Sequence, residues 1–166
     1  MTPITRTDSQ IDGLLTLEEC EDLIRKAEAR GFSRARLQHA GRLNDETFLE
    51  SSALAETIKL RLPACWEVTE VDDLIEIYRY RSGDEIQTHT DTGRRIRNGL
   101  RSNATLLIYL SANFRGGHTI FTGTNQTIVP SLGRAVVFPH HLPHRAGPVL
   151  SGTKYVARLD IALRHP

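Results

Sequence analysis

Cysteine is scarce in this sequence. Cys20 and Cys65 stand alone in unrelated surroundings, with no CxxC pair and no metal-ligand spacing, so no disulfide framework is expected and both thiols are read as reduced. Long apolar runs are missing too. No stretch approaches the roughly 18 apolar residues of a membrane span, and the start, MTPITRTDSQIDG, has no apolar segment behind a basic end. A soluble, cytoplasmic protein is expected, with no membrane partner. Charge of one sign is also lacking: Lys+Arg 21 against Asp+Glu 20 gives a net of +1, which argues against nucleic acid as an electrostatically driven partner. The sequence shows no internal repeat, low-complexity tract or linker. One domain over residues 1–166 is therefore expected, long enough to bury a core without disulfides or structural metals.

Short elements fill that length. An extended or irregular piece runs around Pro3 to Ile11. Thr16, with Glu19 three residues on, reads as the N-cap of a helix in which Leu17, Cys20, Leu23, Ile24 and Ala27 recur at helical spacing, and Gly31 stops it. The segment Phe32 to Leu49 is polar, carries Arg34, Arg36 and Arg42, and has no clear period, so a loop or an irregular strand pair is expected there. A second helix fits Ser52 to Leu62, with Leu54, Ala55, Ile58 and Leu62 on one stripe and Pro63 as its end.

From Leu74 the character changes. Leu74 to Tyr80, Thr105 to Leu110, His118 to Phe121, Thr127 to Val129, Arg134 to Phe138 and Thr153 to Ala162 are short runs rich in β-branched and aromatic residues, punctuated by Gly, Pro, Asn and Ser. Helices followed by many short strands indicate a mainly β protein with flanking helices (α+β), a sandwich or jelly-roll barrel with its helices outside one sheet.

The chemistry concentrates at YRYRSGDEIQTHTD. His89 and Asp91 are two apart, and in an extended segment residues i and i+2 share a face, so an imidazole and a carboxylate converge. A second imidazole would complete the 2-His-1-carboxylate face typical of non-haem Fe(II) oxygenases. The candidates for it are His118, His140, His141 and His144. On the strand Thr153 to Ala162, Lys154, Val156, Arg158 and Asp160 share one face, opposite Thr153, Tyr155, Ala157, Leu159 and Ile161. A lysine facing a barrel interior costs several kcal/mol unless an anion meets it, so Lys154 asks for a carboxylate ligand.

HxD at 89–91, Ala104-Thr105 leading into LLIYLS, GGHTIF from Gly116, and the stretch from His144 through Lys154 to Asp160 together resemble the prolyl 4-hydroxylase-type family of 2-oxoglutarate- and Fe(II)-dependent dioxygenases. The resemblance covers roughly residues 74 to 163 and implies a double-stranded β-helix (jelly-roll, cupin-like) core there, with helical support over 14–63. It carries iron ligation onto His89, Asp91 and His144, and the salt bridge to 2-oxoglutarate onto Lys154. Tyr80 matches the family position that hydrogen-bonds this co-substrate, and Tyr109 and Thr119 lie on strands that line its pocket. The implied cofactors are Fe(II), 2-oxoglutarate and O2, the co-products succinate and CO2. Asp91 favours hydroxylation, because halogenases of the wider superfamily lack that carboxylate. His118 departs from the acidic residue more usual in the GGxT turn.

Substrate contacts are sought among the remaining charges. Arg158 could pair with Asp160, reach the co-substrate or bind an acidic substrate group. Arg94 and Arg95, with Arg97 and Arg101 in DTGRRIRNGLRSN, could form a lid that pairs with a carboxylate or phosphate. His118 could contact substrate, and Arg42 could belong to the opposite wall. The compact chain favours a small-molecule substrate such as an amino acid or secondary metabolite. The alternatives are a hydroxylase of protein or peptide residues, prolyl in type, and a cupin-like metal-binding protein that is not an oxygenase.

Overall fold

Thr16 caps the first helix as its spacing predicts. Its side chain accepts from the Glu19 amide, and the Glu19 carboxylate accepts from the Thr16 amide, a reciprocal capping box. This is α1, Leu17–Arg30, closed by Gly31. The second helix, α2, spans Ser52–Arg61 with Ser51 as its cap. The computed structural model describes residues 9–35, 41–124 and 126–164. The extended piece expected from Pro3 is therefore described only from Ser9 onwards, and Arg36 lies outside the described residues.

The strands, in chain order, are β1 Gln10–Ile11, β2 Ser33–Arg34, β3 Asp45–Glu50, β4 Val68–Val71, β5 Leu74–Tyr80, β6 Ile86–His89 and β7 Ala104–Tyr109. They continue with β8 Phe114–Gly116, β9 Thr119–Phe121, β10 Gln126–Ile128, β11 Ala135–Pro139, β12 His144–Ala146, β13 Val149–Gly152 and β14 Lys154–Leu163. The larger sheet runs β1-β11-β7-β14-β5-β3-β2, with β4 added on β14; the smaller runs β10-β9-β12-β6, and β13 pairs with β8.

Alternation along β14 explains the layering. Ala157, Leu159 and Ile161 point to the helical side, where they pack with Cys20, Leu23, Ala27, Ile58, Ile77 and Ile108 in one buried cluster. Val156 points the other way, into a second cluster where Tyr78, Tyr80, Tyr109 and Phe138 of the larger sheet meet Ile86, Phe121 and Ile128 of the smaller one. Each buried Leu or Ile in these layers stabilises by about 1.5–3 kcal/mol. The result is helices, large sheet and small sheet in sequence, the double-stranded β-helix expected. Among the described residues the two sheets face each other without joining into one closed barrel.

The irregular reading of Phe32 to Leu49 is corrected in part: Asp45–Glu50 is a full strand paired with β5 along its whole length. Its period is hidden because the buried side is polar. Asp45 and Thr47 are the inward residues, and Asp45 is held by Arg34, Arg79 and Arg81 rather than by apolar neighbours. The short β4, β8, β12 and β13 also gave no sequence signal, having too few residues to show an alternation.

Candidate active site

The site lies between the sheets, at the end of β6. His89 closes that strand and pairs in register with His144, which opens β12; their ring centroids are 4.3 Å apart. Asp91 follows two residues past His89 and is anchored by its amide, which donates to the His140 carbonyl at 2.9 Å. One ligand atom each from His89, Asp91 and His144 falls within a 4.8 Å group. His89 Nε2 is 3.6 Å from Asp91 Oδ1, and His144 Nε2 is 3.9 Å from Asp91 Oδ2.

The second contacts of these rings fit a metal centre. His89 Nδ1 lies 2.9 Å from the Gln87 carbonyl and His144 Nδ1 lies 2.9 Å from the Leu142 carbonyl. A carbonyl accepts only, so each Nδ1 carries the proton and each Nε2 lone pair is left to face the centre, the usual device for fixing a metal-binding tautomer. Burial depresses the pKa of His144, which favours the neutral imidazole a metal needs. Burial alone would raise the pKa of Asp91, but His89, Arg158, His144 and Thr105 outweigh it and hold the carboxyl well below the usual range. Thr105 Oγ1 donates to Asp91 Oδ2 at 2.5 Å.

Deeper in the same cavity lies Lys154, 1% exposed. Its Nζ donates to the Gly117 carbonyl at 2.6 Å and stands 4.7 Å from the Tyr80 ring centroid. It makes no ion pair among the described residues. One carbonyl satisfies one of three donors, and burial pulls the pKa of the ammonium down to about 7. Gly117, at φ +67, makes the approach possible: a Cβ there would sit 2.9 Å from the lysine Cδ. Tyr80 and Thr119 line the cavity, and burial raises the pKa of Tyr80, keeping its phenol protonated. Tyr109 stands behind the wall, with its hydroxyl 2.7 Å from Thr119 Oγ1. The cavity measures about 430 Å³, room for a small dicarboxylate beside the metal site.

The other candidates separate. Arg158 Nη1 pairs with Glu76 at 3.1 Å and Asp160 at 3.3 Å, and Nη2 lies 3.5 Å from Asp91. Arg94 lines the cavity, but its guanidinium pairs with Asp160 at 2.5 Å and Asp72 at 3.0 Å. Two arginines of the expected lid are thus engaged in ion pairs with the body of the fold. Arg97 is paired with Glu56 and Glu70, and backbone bonds from Ile96 to Leu100 and from Ser102 to Arg94 pin the loop. Arg95 is exposed and, like His118, is not among the cavity-lining residues. His140 points its Nε2 to Asp160 Oδ1 at 3.1 Å, and His141 is exposed. Sequence reasoning missed Glu76 and Arg145, both of which line the cavity. Glu76 alternates with Tyr78 and Tyr80 on β5, so a carboxylate on an otherwise interior face was the available signal.

A family profile described as the 2OG-Fe(II) oxygenase superfamily matches residues 75–159. A protein named "Putative prolyl 4-hydroxylase" of Acanthamoeba polyphaga mimivirus is 32% identical over 104 residues, which cover 51% of this chain and 43% of that protein. The chain thus spans less than half the length of this curated relative. The solved viral collagen prolyl hydroxylase of Paramecium Bursaria Chlorella virus-1, a 2OG complex, superposes with a TM-score of 0.72 at 25% identity, covering 93% of this chain and 95% of the other. A prolyl hydroxylase from Trichoplax adhaerens, solved with a hypoxia inducible factor peptide fragment, gives a TM-score of 0.70 at 18% identity over 92% of this chain and 82% of that one. These relatives overturn the expectation of a small-molecule substrate. It rested on compactness, yet a collagen prolyl hydroxylase of nearly the same extent has this fold.

Among the described residues no helix is long and apolar enough to cross a membrane.

Proposed function

The chain belongs to the 2OG-Fe(II) oxygenase superfamily, and on that premise we propose that it hydroxylates a residue of a protein or peptide, a prolyl side chain first among them. His89, Asp91 and His144 would hold Fe(II) through two Nε2 atoms and one carboxylate. Lys154 would bind the distal carboxylate of 2-oxoglutarate, with Tyr80 and Thr119 hydrogen-bonding beside it and Tyr109 bracing Thr119. When bound, Fe(II) and 2-oxoglutarate together activate O2, and 2-oxoglutarate leaves as succinate and CO2 while the substrate gains a hydroxyl group.

The chain's own part is positional. The two backbone carbonyls hold the imidazole tautomers, Thr105 and Arg158 hold Asp91, and burial by Tyr80, Val156 and Leu107 keeps water from the co-substrate. The observation that carries this reading is the unpaired, buried ammonium of Lys154 on the same cavity as the three converging ligands. A metal-binding protein without oxygenase activity would leave that ammonium with no role. Cys20 and Cys65 are unpaired, which supports a reducing, cytoplasmic compartment.

The test is incubation with Fe(II), 2-oxoglutarate, O2 and a panel of proline-containing peptides. Hydroxylated peptide with stoichiometric succinate is expected by mass spectrometry. Succinate formation without any hydroxylated peptide contradicts the substrate reading, and no succinate at all contradicts the oxygenase reading.

A further inference from the structure

Most charges on the cavity wall cancel. Arg94 and Arg158 are matched by Asp160 and Glu76. A dication held by one carboxylate and two neutral imidazoles leaves one positive charge, and a dicarboxylate on Lys154 leaves one negative, so these too offset each other. Two lining residues remain outside the balance, Arg42 and Arg145. The ion pairs among the described residues engage Arg34, Arg79, Arg81, Arg94, Arg97 and Arg158 around them, but neither of these two.

Arg42 is built in place. The Gln87 amide donates to the Gly41 carbonyl and the Leu43 amide to the Glu85 carbonyl, both at 2.9 Å, so the residue is bridged to Ile86 on the edge of β6. Gly41 sits at φ +95 against the Gln87 side chain, where a Cβ would clash. The guanidinium carbon lies 5.1 Å from the Tyr78 ring centroid, and among the described residues its buried Nε has no hydrogen-bond partner. A buried donor without an acceptor is costly unless a ligand supplies one. On the other flank of β6, Ala146 of β12 pairs with the same Ile86, and Arg145 precedes it. The two arginines thus bracket the strand that ends in His89, on backbones about 10 Å apart.

We infer that Arg42 and Arg145 form a specificity clamp for a carboxylate of the peptide substrate, an Asp or Glu side chain close to the hydroxylated residue. The inference rests on the peptide reading above. Guanidinium groups pair with carboxylates in bidentate fashion, and such pairing selects against neutral and basic sequences.

The test is titration calorimetry on the anaerobic Fe(II) and 2-oxoglutarate-loaded protein, with a peptide carrying Glu beside proline and a copy carrying Gln. The acidic peptide is expected to bind about tenfold or more tightly, the gain of a partly desolvated charge pair. Arg42→Gln and Arg145→Gln should each shrink that ratio, the double variant should abolish it, and Arg42→Lys should retain part of it. Arg145→Glu should turn preference towards a Lys-flanked copy. Equal affinities in the unaltered protein, binding of neither peptide, or a preference that survives in the double variant overturns the clamp. A charge preference with no peptide hydroxylated in air overturns the prolyl reading and leaves the clamp standing; hydroxylation without preference does the reverse.

Discussion

His144 lies directly opposite His89 across the β6–β12 ladder, with their rings 4.3 Å apart. One antiparallel pairing therefore makes neighbours of two residues far apart in sequence, and a slip of one residue would turn an imidazole to the opposite face. Asp91 completes the group only because its amide is tied to the chain just before β12. The metal site is a property of strand register before it is a property of any loop.

Thr105 sets the direction of the Asp91 carboxylate through its bond to Oδ2. Thr105→Val keeps the shape and removes the donor. Metal affinity should fall about 10- to 100-fold, as expected for loss of a group that orients a ligand. Competition with a chromophoric chelator measures it, and unchanged affinity contradicts the role.

Lys154, proposed to receive the distal carboxylate of 2-oxoglutarate, is buried without a counter-charge among the described residues. Lys154→Met should stabilise the 2-oxoglutarate-free protein by about 2 kcal/mol, because an unpaired buried charge is replaced by an apolar chain of similar length. Thermal melts with and without the co-substrate read both halves of this: the variant should melt higher alone, and only the unaltered protein should gain from added 2-oxoglutarate. A variant that melts lower and still responds to 2-oxoglutarate refutes the assignment.

In its proposed role the same group links co-substrate binding to pH. Burial pulls its pKa from 10.5 to about 7, below its value in the unfolded chain. Its stability penalty is therefore full below about pH 7 and fades as pH rises towards 10.5. Binding of a dicarboxylate needs the ammonium, so above pH 7 it must take up a proton. Affinity should weaken as pH rises, approaching a factor of ten per unit. Calorimetry at about pH 8 in buffers of different ionisation enthalpy should show proton uptake; buffer-independent heats contradict it.

Arg158 holds together Glu76, Asp160 and Asp91. Arg158→Leu leaves Asp160, itself 1% exposed, and Glu76 short of a counter-charge. Urea unfolding should show a loss of about 3–5 kcal/mol. A loss below about 1 kcal/mol means that Arg94 and His140 suffice for Asp160.

How much of this was legible in the sequence follows from which residues carry a local signal. The helix over Leu17–Arg30 announced itself through Thr16 and Glu19, and the interior face of β14 through Lys154, Val156, Arg158 and Asp160, because capping and alternation are local rules. The strand Asp45–Glu50 did not, because its buried Asp45 is neutralised by arginines from elsewhere in the chain. The engagement of the arginines after Asp91 was not legible for the same reason: the partners of Arg94 and Arg97 are Asp72, Asp160, Glu56 and Glu70, none of them nearby in sequence. Short-range pattern found the positions of the site, and long-range ion pairing decided which of its charges were already spoken for.

Whether His89, Asp91, His144 and Lys154 serve one metal and one dicarboxylate is measured most directly by the visible absorption of the anaerobic protein titrated with Fe(II) and then 2-oxoglutarate. A charge-transfer band should appear only when both are present, vanish in His144→Ala and Asp91→Ala, and need far more 2-oxoglutarate in Lys154→Met. A band that survives in His144→Ala, or none in the unaltered protein at saturating Fe(II) and 2-oxoglutarate, would contradict that assignment.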